Sequence, residues 1–213
     1  NRVGAADAMS GINRSYGAAE LAGYIVATVN FRLAAGEVEA ILRSSQPKVV
    51  FFEAQYAPMF EEMKERLEFV QHFVSFGASF SWAEVYNPFV SGSPAADTAP
   101  PEPDDILHLI YTSGTTAQPK GVIRSHRAEV AAADLLATEA GLGIDDRLQL
   151  TMPLFLVGAR WMQMSAHLRG GAIVLHRPFD PAAVLREMEA KRVTVSHMAP
   201  TMVHALLEVP DLD

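Results

Sequence analysis

The residues best suited to chemistry lie in one run near the middle of the chain: Tyr111-Thr112-Ser113-Gly114-Thr115-Thr116-Ala117-Gln118-Pro119-Lys120-Gly121. Within these eleven residues stand four Ser/Thr hydroxyls, two glycines and one lysine. Glycine lets a backbone approach a ligand closely, and successive N–H groups can line an anion-binding concavity. Hydroxyls add donors, and the lysine ammonium adds a mobile positive charge suited to phosphate. The residue types point to a triphosphate or pyrophosphate cradle, although a polar turn after a strand is also a common structural feature. A Walker-type loop is excluded, because Lys120 sits between Pro119 and Gly121 where that motif needs Gly-Lys-Ser or Gly-Lys-Thr. The Gly-x-Gly-x-x-Gly spacing of a dinucleotide turn is missing too.

Little else in the chain competes with this segment. The seven histidines show no metal-ligand spacing, so no metal site is expected, and the absence of cysteine rules out disulfides and thiolate ligands. His108 lies in an apolar run and reads as a hydrogen-bonded core histidine, while His167, His176 and His204 read as structural or surface residues. Seventeen basic against twenty-five acidic residues give a net charge of −8, which disfavours a nucleic-acid partner. The N-terminal residues are too broken by charge and glycine for a signal peptide. No run of eighteen apolar residues occurs. A cytoplasmic protein without a transmembrane segment is the expectation.

The elements that must position the loop alternate between short apolar runs and helical patterns. Ile106 to Tyr111 reads as a buried strand leading into it, with a helix around Val130 to Leu136 beyond it. Then follow a run at Leu148 to Met152, a helix at Val157 to Leu168, a run at Ala172 to Leu175 and a helix at Pro181 to Lys191 capped by Asp180. Val193 to Val195 is a further strand, and Pro200 opens a helix through Leu207. In the first half, Tyr24 to Val29 and Val49 to Phe52 read as strands, Glu37 to Leu42 as a helix, and Met59 to Val70 as an amphipathic helix. Serine, glycine, alanine and proline make the segment from Phe89 to Asp105 a loop. The expected class is α/β, with mostly parallel sheet layers and flanking helices: a first segment over 1–90, a linker over 91–105 and a second segment over 106–213.

The order Tyr-Thr-Ser-Gly-Thr-Thr followed by Pro-Lys-Gly-Val resembles the phosphate-binding signature of AMP-binding, adenylate-forming enzymes of the acyl-CoA synthetase type. Gly23 to Leu33, Val122 to Arg127, Met152 to Phe155, Val193 to Val195 and Ala199 to Met202 are similar to other segments of that family. Two positions depart: Ala117 stands where the family commonly has glycine, and Leu156 where it commonly has histidine. The resemblance implies that Thr112, Ser113, Gly114, Thr115, Thr116 and Lys120 contact phosphates, with Lys120 and His126 in catalytic roles. Phe155, Leu156 and Trp161 would border the acid, although Trp161 and Met162 also read as packing residues. It further implies ATP and Mg2+, a carboxylic acid substrate and coenzyme A as second substrate, with a homodimer as one form of assembly. A carrier protein as acceptor, or a non-catalytic scaffold, are the other readings. Segments that the family uses for adenine, ribose and the mobile C-terminal domain are not recognised. The chain is therefore expected to be an incomplete N-terminal portion of the fold, inactive by itself.

Overall fold

The structure is a computed structural model that describes residues 3–92, 99–112, 120–176 and 179–210. The chain divides into two compact units, 1–126 and 127–213, so the segment 91–105 falls inside the first unit rather than between two.

The first unit holds two three-stranded sheets. In one, β2 (Val49–Glu53), β3 (His72–Phe76) and β4 (Glu84–Val85) run parallel. Beside it α2 (Ala35–Ser45) and α3 (Ala57–Met63) bury Val38, Leu42, Phe60 and Met63 against Val50 and Phe52. Phe52 stacks on Trp82, with ring centroids 5.5 Å apart. Ala34, a residue without a capping side chain, precedes α2; its N–H donates instead to the Glu37 carboxylate at 2.9 Å, which anchors the first turn. The helix expected through Val70 ends at Met63 and tightens into a 3-10 turn over Lys64–Arg66. Arg66 explains the stop: Nη1 donates to the Glu62 carbonyl at 2.8 Å and Nη2 to Glu39 at 2.7 Å. Leu67 then enters the core with 1% exposure.

The second sheet of this unit joins β1 (Val26–Thr28) to β5 (Ile106–Thr112) in parallel, and β5 to β6 (Lys120–Ser125) antiparallel. Four elements here were not expected from the sequence: α1 (Val3–Ala22), β3, β4 and α4 (Tyr86–Gly92). α4 carries Pro88 in its first turn, where the missing N–H is tolerated, so Phe89 is helical and the loop begins later. A fifth, β6, replaces the passage from loop to helix read from Gly121 onward. Its Val122 and Ile123 are exposed and charged residues flank them, so an edge strand lacked the alternation by which half-buried strands are recognised.

The second unit is a parallel sheet in the order β8-β7-β9, formed by β8 (Ala172–Leu175), β7 (Arg147–Leu150) and β9 (Val195–His197). Four helices accompany these strands: α5 (His126–Glu139), α6 (Val157–Arg169), α7 (Pro181–Ala190) and α8 (Pro200–Leu207). The Asp180 carboxylate accepts the Ala183 N–H at 2.7 Å and caps α7 as expected. β9 starts two residues later than read, because Thr194 is engaged elsewhere. Its hydroxyl donates to Asp146 at 2.7 Å and accepts the Arg147 N–H at 2.9 Å. Among the described residues no helix is long and apolar enough to cross a membrane.

Candidate functional site: a phosphate loop carried between antiparallel strands

Six cross-strand pairs define the base of the candidate phosphate loop. They run from Ile106 opposite Ser125 to Thr112 opposite Lys120. Residues directly opposite in such a ladder project to one face, so the Thr112 hydroxyl and the Lys120 ammonium start from the same side. Both residues are exposed. Ser113, Gly114, Thr115 and Thr116, together with Ala117, lie outside the described residues. The structure therefore positions the first and last members of the predicted phosphate set as a facing pair. The seven residues between them span from one strand to the next, not from a strand to a helix.

Gly121 and Tyr111 form the next rung, and their fit was not legible in the sequence. A Cβ on Gly121 would stand 3.2 Å from Tyr111 Cζ and 3.3 Å from Cε1. The ring thus lies over the glycine, and the Tyr111 hydroxyl donates to Ser44 Oγ at 2.9 Å. This contact ties the loop base to the last turn of α2. The glycine provides room for an aromatic brace as well as belonging to the loop signature.

His126 occupies the other end of β6 as the first residue of α5. Its N–H donates to the Asp105 carbonyl at 3.0 Å, and its buried Nε2 has no hydrogen-bond partner. From Lys120 to Ser125 the strand advances about 17 Å at 3.4 Å per residue. Lys120 and His126, both expected in catalytic roles, are therefore not brought together. His108, expected in the core, is 1% exposed, with its Nε2 3.8 Å from Glu20 Oε1 and its ring edge-on to Tyr16.

Phe155 and Leu156 follow β7 and are half-buried; Leu156 is the N-cap of α6, and its N–H donates to the Pro153 carbonyl at 3.0 Å. Trp161 lies farther along α6, where its indole N–H donates to Glu129 of α5 at 2.7 Å. Glu129 is fully buried, so Trp161 is fixed by α5, which accords with the packing role considered for it. Ser165 adds a bond to the Ala133 carbonyl at 2.8 Å in the same interface. His176 accepts the Gln149 side-chain N–H at 2.7 Å, and burial pushes its imidazole below the usual histidine pKa.

A sequence rich in Ser, Thr, Gly and Lys between β5 and β6 of an α/β chain makes nucleotide binding the class to compare. Residues 15–213 match the family described as AMP-binding enzyme, and the chain belongs to it. Long-chain-fatty-acid–CoA ligase FadD13 of Mycobacterium tuberculosis is 32% identical over 196 residues, 92% of this chain and 38% of that protein. Indoleacetate–CoA ligase of Aromatoleum aromaticum is 31% identical over 191 residues, 88% of this chain and 37% of that protein. The N-terminal domain of FACL13 from Mycobacterium tuberculosis superimposes with a TM-score of 0.77 at 30% identity, covering 89% of this chain and 47% of that one. The chain thus spans less than half the length of these relatives.

Proposed function

We propose that the full-length protein activates a carboxylic acid with ATP and then forms an acyl-CoA thioester. The observation that carries this reading is the Thr112–Lys120 rung, which holds a Ser/Thr/Gly/Lys loop across β5 and β6 in a chain of this family. In the first step a carboxylate oxygen bonds to the α-phosphorus of ATP. The bond from that phosphorus to the bridging oxygen breaks, and pyrophosphate leaves with the electron pair. In the second step the thiol sulfur of coenzyme A bonds to the acyl carbon, its proton passes to solvent, and AMP leaves. The acid is already ionised near neutral pH, so the first step needs no general base. Its demand is charge neutralisation and alignment of two anions.

In this proposal the Thr112 hydroxyl and Lys120 ammonium bind phosphate oxygens, with Ser113, Gly114, Thr115 and Thr116 completing the cradle. Phe155 and Leu156 border the acid, and Trp161 borders it from a side chain held by Glu129. His126, at the far end of β6, acts as a positioning residue between β6 and α5 and not as a phosphate contact. Among the described residues no group of three His, Asp or Glu side chains could hold a metal ion. In this reading Mg2+ would be carried largely by the ATP phosphates and would neutralise their charge, which requires no three-residue protein cluster.

Pyrophosphate exchange by the full-length protein, with ATP and a panel of fatty and aryl acids, tests the first step. Exchange with at least one acid is expected, followed by thioester formation when coenzyme A is added. Exchange with none would leave a scaffold of this fold, and a thioester formed only on a carrier protein would change the acceptor.

A further inference from the structure

His176 stands just beyond β8 and takes no part in the proposed chemistry, yet its ring belongs to a polar cluster inside the second unit. Its backbone N–H donates to the Leu150 carbonyl at 3.1 Å, which carries the β8–β7 ladder one residue past Leu175. Side chains alternate along a strand, so His176 projects on the same face as Val174. Val174 and Ser196 are the residues that pair with Gln149 from either side, and Gln149 lies on the middle strand. The imidazole, the amide and the Ser196 hydroxyl thus share one face, the face on which Gln149 reaches α7. Gln149 is fully buried there.

The hydrogen bonds fix which way this amide points. Its NH2 group donates to the Val184 carbonyl of α7 at 3.3 Å and to His176 Nε2 at 2.7 Å. Its oxygen accepts the Ser196 hydroxyl at 3.3 Å. A backbone carbonyl can only accept, so the NH2 must face Val184, and with it His176. Nε2 therefore offers its lone pair, and the neutral ring carries its proton on Nδ1. A second proton on the ring would set one N–H against another at 2.7 Å. The amide resolves that conflict by turning over: its oxygen then accepts from Nε2, and its NH2 donates to Ser196. Turned this way it meets the Val184 carbonyl with an oxygen, and the bond between sheet and helix is lost.

We propose that Gln149 and His176 form a proton-operated latch on α7, closed while the imidazole is neutral and released when it takes up a proton and the amide turns. Burial holds the histidine below its usual range, and the Glu187 carboxylate of α7 partly offsets this. β7 and β9 bring the neutral Gln149 and Ser196 to the cluster, and the neighbouring Arg177 lies outside the described residues. Because the folded ring resists the proton, the latch is closed at and above pH 6.5, the ordinary histidine value, and opens as pH falls below it. It needs nothing from the proposed phosphate or acid contacts.

Hydrogen–deuterium exchange of the full-length protein, read by mass spectrometry between about pH 7.5 and pH 5 and corrected for intrinsic rates, tests the latch. On acidification, protection of the α7 amides falls about 3- to 10-fold relative to those of α6. His176→Gln keeps an acceptor for the amide but does not titrate, and it removes the step. Gln149→Met leaves the histidine titrating but has no amide to turn, and it removes the step as well. A flat profile in the wild type, or a step that persists in either variant, overturns the proposal. Nitrogen-15 NMR of the imidazole reads the wild type alone: above the transition the proton is expected on Nδ1. A neutral ring protonated on Nε2 overturns the latch even where the variants do not fold.

Discussion

At the scale of single residues, the facing pair Thr112 and Lys120 carries the functional expectation, and its two members should not be equal. Replacing Lys120 with alanine removes a charge-assisted contact, so productive ATP use in the full-length protein should weaken by about 1.5–3 kcal/mol. Steady-state pyrophosphate exchange measures this, and unchanged kinetics with an intact fold would remove Lys120 from the site. Gly121→Ala should act differently, because the new Cβ meets the Tyr111 ring at 3.2 Å. Displacing the ring also disturbs its bond to Ser44, so a stability loss of about 1–3 kcal/mol is expected by chemical denaturation. Tyr111→Phe, which keeps the ring and removes the hydroxyl, should cost about 1 kcal/mol. Were it to cost as much as Gly121→Ala, the brace would rest on the hydrogen bond rather than the ring.

At the scale of elements, the sequence was legible where local chemistry and burial agreed. β8 and α8 match their expected limits because an apolar run and a proline-led helix each end at clear boundaries. The family was legible from residue order around Thr112 to Gly121, yet the pairing of the strands on either side of that run was not. β6 is an exposed edge strand whose pattern comes from hydrogen bonding to β5, and pairing of that kind leaves no periodicity in the sequence. The Gln149–His176 bond was hidden for a related reason, since it joins residues 27 positions apart through the sheet. The link between α2 and the turn after α3 supports a pH prediction. Hydrogen bonds from Arg66, then Arg43, lower the Glu39 carboxyl from 4.5 to about 2. Its folded value lies below its unfolded one, so its contribution to stability is present above pH 4.5 and is lost as pH falls toward 2. Glu39→Gln should flatten the decline of melting temperature across that acid window. An unaltered slope would show that the carboxylate remains solvated beside its arginines.

At the scale of the whole molecule, β5 and β6, with the proposed phosphate contacts Thr112 and Lys120, lie in the first unit, and the proposed acid-bordering residues Phe155, Leu156 and Trp161 lie in the second. Residues 1–213 alone should form no detectable acyl-adenylate, because they span only 38% of a relative such as FadD13 and catalysis by alignment fails steeply when positioning is incomplete. A matched pyrophosphate-exchange assay of this segment and the full-length protein checks this; robust turnover by the segment would show that it carries a complete site.

The β5–β6 ladder has a consequence for how this loop can change over time. Its last rung fixes the two ends of a seven-residue span about 5 Å apart. The pairs behind that rung, from Ile106–Ser125 onward, hold the ends in place whatever residues lie between. Closing a loop on anchored ends depends only logarithmically on length, so doubling the span would add about 0.6 kcal/mol. Substitutions such as the alanine at 117, and even insertions, should then cost the β5–β6 pairing little. The β5–β6 ladder behaves as a cassette holder, leaving selection free to vary what stands between Thr112 and Lys120 with little penalty to the sheet.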